Sequence, residues 1–498
     1  MSIDSLSTKE FSCDPMPENH EEGVSSNEIA FESLESRPSL KAIPVEAIER
    51  FASVDVLRGV ALLGILAMNI VDFAWPQSVY TTPIMDPGAG RLDTFLWSLN
   101  HLLFDTKMMT LFSMLFGAGL VLMSDRAADR GAKIRGVFYR RVSWLLVIGL
   151  IHAYLIWDGD ILVMYASCGF LLYPFRKLRP RILIITGVCF NLIFVALLLG
   201  FRFGGIPYMK RTAARVKIQA KQGKKLGWWD EKVRDAHKSM SKQEMPKRED
   251  FLKNIERHRG SYRNLVAHRA GNLVMEQTLG FLFFGWWMAG GRMLIGMGLM
   301  KLGVFSAVRS KQFYVKMMFL GYGIGVPLMV FDCLHQISHN FFLGRSLQYV
   351  LDGWPFLTLY GSVVVVFGHI GAVMLIYQAG ALTWLTSRLA AAGRMALSNY
   401  LFDSIICTTL FYGYGFDLFG TIHRPLLYAI VIMLWAIQLV MSAIWLSFFR
   451  FGPAEWIWRS LTYWKPQPIW AKLTPGDFPH ANINLYTKGP DITEMQGT

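Results

Sequence analysis

Charge is what this chain has least of. Asp, Glu, Lys and Arg make up 17% of its 498 residues, against about 25% in soluble domains, and that deficit excludes an ordinary soluble enzyme. Cysteine is scarce too. The five (Cys13, Cys168, Cys189, Cys333, Cys407) are scattered, with no Cys-x-x-Cys pair and no Cys/His ligand spacing, which argues against a disulfide framework or a metal centre. The first 49 residues lack the apolar core of a cleaved leader. Ser, Glu, Asn and Pro dominate them, and they read as a disordered acidic tail on the cytoplasmic side.

Apolar residues are what the chain has in excess. Hydrophobic residues reach 53%, with 35 Phe, 25 Met, 18 Tyr and 16 Trp, and they gather into runs of about 20, the length that crosses a bilayer core. Ten such runs are legible: 54–75, 95–123, 137–157, 160–175, 181–203, 273–300, 312–334, 356–378, 394–414 and 425–449. The expected fold is therefore all-α, a polytopic membrane bundle of about ten helices. The second and sixth runs are long enough to hide a re-entrant or broken helix, and the fourth is short.

Short loops retain Lys and Arg on the cytoplasmic side. Loop 124–141 holds six, 176–181 holds four, and 301–316 holds Lys301, Arg309, Lys311 and Lys316, whereas 76–94 has only Arg91. Both termini are then expected in the cytoplasm, with the first and third helices running outward. The domain plan follows: tail 1–49, five-helix core 50–205, basic extracytoplasmic helical loop 206–271, five-helix region 272–450, and cytoplasmic tail 451–498. Most of the net charge of +14 lies in the basic loop, where 210–269 carries eighteen Lys/Arg against seven Asp/Glu. Long loops cross membranes regardless of charge, and the patterning suggests amphipathic helices on the outer surface or capping the bundle. Nucleic-acid binding is the weaker account of the basic balance.

A charge inside a bilayer is expensive, so each intramembrane ionisable group is a functional candidate. In the first helix Asp55 and Arg58 are three apart and can pair. Asn69 is eleven residues beyond Arg58, which returns to nearly the same face. The second run contributes Asp105 and Lys107. The third opens with Arg140 and Arg141 and ends at His152, just before Asp158 and Asp160 in the turn WDGD. A histidine beside a carboxylate has the makings of a general base. The ninth run supplies Arg394, then Asn399 and Asp403 one turn apart, which read as structural polar groups together with Asp55. Cations thus lie at the inner mouth (Arg58, Arg140, Arg141, Arg394), and Asn69, Lys107, His152, Asp158 and Asp160 lie toward the outside. That layout suits a polyanion entering from the cytoplasm, since phosphates call for Arg.

The stretches SVDVLRGVALLGILAMNI, FDTKMMTLFSMLFGAGL, RRVSWLLVIGLIHAYLIWDGDILVMYASCGFLL, GRMALSNYLFDSIICTTLFYGYG and FRFGPAEWIWRSLTYW resemble the YeiB-like family, also called domain of unknown function 418. That family looks like part of a transmembrane acyltransferase superfamily with the acyltransferase-3 proteins and heparan-alpha-glucosaminide N-acetyltransferase. The shared feature is the D-x-x-RG start of the first helix, here Asp55, Arg58 and Gly59. Those relatives' catalytic histidines fall at positions held here by Asn69 and Tyr80, so a histidine role passes to His152.

The resemblance implies acyl transfer in a bacterial plasma (inner) membrane. Acyl-CoA or acetyl-CoA would sit against Arg58, Arg140, Arg141 and Arg394. His152, oriented by Asp158 or Asp160, would act as base, and Asn69 and Lys107 would stabilise the oxyanion. The acceptor would be a small molecule or a glycan- or lipid-linked group. Membrane lipids are the other expected partners, no nucleic acid or metal is expected, and a dimer is left open. The alternative is transport of a small or lipid-linked anionic solute through the same polar stripe, although no internal repeat of the kind many transporters show is visible.

Overall fold

The computed structural model describes residues 51–131, 133–223, 227–242, 248–342 and 355–471. The acidic tail 1–49 and residues 472–498 lie outside the described residues. The chain is a helix bundle. No sheet forms among the described residues, and an isolated antiparallel bridge joins Phe449 to Trp470.

The first helix, α1 (Ala52–Ala74), is the axis of the bundle. It is apolar on nearly every face, and 78% of its apolar window is buried, as expected of a helix surrounded by others. The second run is broken, as its length suggested. α2 (Arg91–Leu103) and α3 (Lys107–Asp129) are separated by a turn in which Thr106 takes a left-handed conformation, φ 58°. α4 (Arg135–Ile151) ends in a π turn over His152–Ile156, and α5 (Leu162–Leu172) returns alongside it.

α6 (Pro180–Gly200) runs on into α7 (Ile206–Lys221). The described part of the basic loop continues as α8 (Trp228–Lys242), α9 (Arg248–Arg259) and α10 (Tyr262–Met275). α10 leads through a π-wound stretch, Glu276–Gly290, into α11 (Gly291–Lys301). The sixth run is therefore continuous and wide-wound instead of broken. α12 (Lys311–Ser338) packs along α13 (Pro355–Gln378). α14 (Thr383–Arg394) and α15 (Ala396–Phe411) meet at Met395, followed by α16 (Arg424–Phe448) and α17 (Pro453–Tyr463).

Eight helices among the described residues are long and apolar enough to cross a membrane. Two of the ten expected spans lack the length. α5 has 11 residues, about 16 Å at 1.5 Å per residue. The ninth run opens at the break at Met395 and its helix stops at Phe411, leaving α15 with 16 residues.

Two backbone approaches set the geometry of the arginine-bearing end. α1 crosses α14 where Gly59 faces Leu389 and Gly393 faces Asp55. A Cβ at either glycine would stand 2.0–2.1 Å from a carbonyl oxygen of the other helix, so only glycine permits the contact. That crossing carries Arg58 and Arg394 to one place.

Residues 451–471 correct the expectation of a C-terminal tail. α17 packs against α4 and α15. Its Glu455 accepts hydrogen bonds from Leu397 N (2.7 Å), Ser398 N (3.1 Å) and the Ser398 hydroxyl, capping the start of α15. At the opposite end, α9 and α10 seat on the bundle. Arg259 Nε donates to Phe419 O (2.8 Å), Arg269 donates to Ile156 O (3.0 Å), and His258 stacks on Phe419 at 4.2 Å. This part of the basic segment covers the end that carries the WDGD turn.

Candidate functional site

Two cavities meet inside the bundle. One, of about 280 Å³, opens at the end where α3, α4, α14 and α17 present their arginines. Arg58, Arg126, Arg141, Arg394, Arg450 and Arg459 line it, with only Asp55 and Glu455 as lining carboxylates. Asp55 Oδ1 accepts from Arg58 at 2.9 Å, an i,i+3 pair on α1. Burial, with Arg141 alongside, lowers the Arg459 guanidinium to about 10, and burial raises the Glu455 carboxyl above its usual range. Crowding of this kind favours an anion. Deeper in, the wall turns apolar at Ile65, Phe112, Leu115, Leu145 and Leu162.

The second cavity, about 430 Å³, lies toward the WDGD end and has the opposite character. Asp72, Asp158, Asp160 and Glu276 line it together with Asn69, Ser167 and Gln277, and no Lys, Arg or His does. Ile65 and Ile161 belong to both walls, so the cavities abut. Among the described residues, no group of three or more His, Cys, Asp or Glu side chains is placed to hold a metal ion.

His152 lines neither cavity but lies between Asp160 in the wall of the acidic one and Tyr400 in the wall of the arginine one. The π turn after α4 swings its ring against the WDGD segment, and its Nδ1–H donates to Asp160 Oδ1 at 2.8 Å. Asp160 Oδ2 accepts from Val163 N at 2.7 Å, which fixes the carboxylate. Both side chains are 1% exposed. Among the described residues His152 Nε2 has no hydrogen-bond partner, and the Tyr400 ring lies 5.0 Å from the imidazole, centroid to centroid. Asp158 is set apart. It is 45% exposed and faces Arg269 Nε at 3.5 Å.

Other residues singled out in the sequence are drawn elsewhere. Lys107 lines neither cavity and is not brought to Asn69. Fully buried, it donates to the carbonyl of His101. His101 in turn bridges Asp105 (3.1 Å) and Asp332 (2.9 Å), and Asp105 accepts from the Tyr80 hydroxyl at 2.6 Å. This network ties the α2/α3 break to α12. Arg140 is spent on Thr462 O at 2.9 Å and leaves the arginine cavity to its neighbour Arg141, whose guanidinium lies 3.9 Å from the Trp458 ring. Asn399 donates to Ser442 (3.0 Å), and Asp403 accepts from Gln438 (2.5 Å). Both join α15 to α16.

Sequence reasoning missed Arg126, Arg450 and Arg459 in one cavity, Asp72 in the other, and Tyr400 between them. The signals were present. Asp72 is an acid inside the first apolar run, and Arg450 and Arg459 belong to FRFGPAEWIWRSLTYW, which from residue 451 onward reads as a tail.

Fold and cavities together define a multi-pass helical membrane protein with a cationic chamber at one end and an acidic one toward the other. The family described as "Protein of unknown function (DUF418)" matches residues 299–465. "Uncharacterized protein YxaH" of Bacillus subtilis is 31% identical over 442 residues, covering 86% of this chain and 98% of that protein. "Uncharacterized protein YeiB" of Escherichia coli is 31% identical over 442 residues, covering 86% of this chain and all of its own length (100%). An "Uncharacterized 39.9 kDa protein in amylase 3'region" of Bacillus acidopullulyticus is 26% identical over 429 residues, 86% of this chain and 98% of that protein. The chain belongs to the YeiB-like DUF418 family. No solved structure matches it.

Proposed function

We propose that this protein is an acyl-CoA-dependent acyltransferase of a bacterial inner membrane, with its arginine end in the cytoplasm and its acidic cavity toward the outside. The observation that carries this reading is the His152–Asp160 pair, with Asp160 in the wall of the acidic cavity, Tyr400 of the arginine cavity beside the imidazole, Nδ1 held, and Nε2 without a hydrogen-bond partner among the described residues. The phosphates of acyl-CoA or acetyl-CoA sit against Arg58, Arg141, Arg394 and the arginines beside them, and the acyl thioester reaches inward along the apolar wall. A small-molecule, glycan-linked or lipid-linked acceptor occupies the acidic cavity. Its hydroxyl or amine attacks the thioester carbonyl while His152 Nε2 takes the proton. The tetrahedral oxyanion then re-forms the carbonyl and breaks the C–S bond, and the leaving thiolate recovers the proton from Nε2. Asp160 holds the imidazole in the tautomer that leaves Nε2 basic.

Transport of an anionic solute draws on the same cationic mouth. The acidic cavity counts against it, because an anion leaving the arginines meets four carboxylates. The test is calorimetric binding of CoA and acetyl-CoA to the detergent-purified protein beside Arg58→Ala, followed by acyl transfer with His152→Ala. Binding lost in the first variant, and turnover lost with binding kept in the second, is the expected pair. No binding at millimolar ligand by a folded protein sinks acyl transfer. Solute accumulation in proteoliposomes without CoA would install transport in its place.

A further inference from the structure

The oxyanion expected in the sequence from Asn69 and Lys107 has lost one donor, because Lys107 is committed to the His101 network. Asn69 lines the acidic cavity, on the acceptor's side of the junction. A thioester delivered from the arginine side would meet a different polar group beside the base. That group is the Tyr400 hydroxyl.

Tyr400 is 5% exposed and lines the arginine cavity. It lies on α15, whose first turn is clamped by Glu455 through Leu397 N and Ser398 N, so its ring rides on an anchored element. The Tyr400 hydroxyl accepts from Ile161 N at 3.4 Å. Ile161 belongs to the walls of both cavities, so this bond places the hydroxyl where they meet. With its oxygen engaged as an acceptor, the phenol keeps its own proton, for which the described residues supply no acceptor. The ring centroid is 5.0 Å from that of His152. A donor with a free proton, held by the backbone beside the proposed base, is what a developing oxyanion requires.

We propose that the Tyr400 hydroxyl is the hydrogen-bond donor to the thioester carbonyl oxygen, an inference that rests on the acyl-transfer reading. As the acceptor attacks, the C=O electron pair moves onto oxygen and Tyr400 O–H donates to it. When the carbonyl re-forms and the C–S bond breaks, the hydrogen bond is released with the proton still on Tyr400. The proton that travels is the acceptor's, by way of His152 Nε2 to the leaving thiolate.

The experiment uses the full-length protein in detergent, with acetyl-CoA as donor and hydroxylamine as a small surrogate acceptor. Thiol release and hydroxamate are measured above the uncatalysed rate. Tyr400→Phe is expected to lower kcat roughly 100-fold while leaving acetyl-CoA affinity within about twofold of wild type. Site-specific 3-fluorotyrosine at 400, assayed below its own ionisation, keeps the ring and a stronger donor, and is expected to hold kcat at or above the wild-type value. A purely structural role of the hydroxyl, through its bond from Ile161 N, would show in Tyr400→Phe as a lowered melting temperature or weakened acetyl-CoA affinity, and not as a loss confined to kcat. Wild-type protein that releases no thiol overturns acyl transfer and this inference with it. Wild-type turnover with Tyr400→Phe unchanged in kcat, or changed only in KM, overturns the inference alone. If Tyr400→Phe does not fold, the fluorotyrosine protein carries the test, and a kcat fallen 100-fold there refutes the donor role.

Discussion

Asp160 holds the Nδ1 edge of His152 at 2.8 Å, eight residues along the chain, and both side chains are sealed from solvent. The WDGD turn offered two acids at indistinguishable range in the sequence. The fold separates them by turning Asp160 inward against Val163 N and leaving Asp158 half-exposed beside Arg269.

That separation makes the two acids unequal in turnover. Asp160→Asn should lower kcat for acyl transfer by roughly 10²- to 10⁴-fold, because the amide no longer selects the imidazole tautomer that leaves Nε2 basic. Asp158→Asn should change kcat less than about threefold, because its half-exposed carboxylate faces Arg269 and not the imidazole. Steady-state kinetics on both variants decides the matter, and equal losses would show that the pairing is not what orients the base.

Arg459 and Arg141 should matter to donor binding, and Arg140 should not. Each guanidinium lining the cavity that meets a phosphate contributes on the order of 1.5–3 kcal/mol, roughly 10- to 100-fold in Kd. Arg459→Ala and Arg141→Ala are therefore expected to weaken CoA by that factor. Arg140→Ala, which removes only the bond to Thr462 O, should leave Kd near wild type. Calorimetry reads all three, and tight binding by Arg459→Ala would take α17 out of the donor site.

Lys107 is expected to report on stability and not on donor affinity. It is fully buried beside His101, which bridges Asp105 and Asp332. Lys107→Met leaves buried carboxylates undercompensated, at a cost of about 3–5 kcal/mol. The melting temperature in detergent should fall sharply, with the CoA affinity of the surviving folded protein unchanged. A stable Lys107→Met that no longer binds CoA would move Lys107 into the donor site.

His423 should give the protein a pH-dependent increment of stability. Its Nδ1 faces both oxygens of Asp86, at 3.0 and 2.9 Å, and that hydrogen bond raises the imidazole above its ordinary value. A raised folded value means the contribution is complete below the unfolded value of about 6.5 and is lost as pH rises through the higher folded one. The wild-type melting temperature, measured from about pH 6 upward, should fall relative to that of His423→Gln. Parallel curves would show that the pair contributes nothing.

Much of the fold was legible because membrane insertion is written in local composition. A run of apolar residues must be helical in lipid, where every backbone group has to be bonded within the segment. α1, α12, α13 and α16 accordingly lie close to their expected limits. The shortness of α5 was less legible, since apolar residues continue past its end at Leu172 into Tyr173 and Phe175.

For the site, the sequence alone determined what lies within a turn or two along one helix or hairpin. Asp55 beside Arg58, the arginine-to-amide stripe on α1, and an acid within reach of His152 follow from helical rise and a short turn. The tertiary structure decided which helices cross. It brought Arg459 of α17, and Arg450 just before that helix, to Arg58, diverted Lys107 into the His101 network, chose Asp160 over Asp158, and set Tyr400 beside the imidazole. Those choices depend on close backbone contacts such as Gly59 against Leu389. The arginine cluster and the Tyr400–His152 contact join residues hundreds of positions apart, so the spacing along any one helix carries no trace of them.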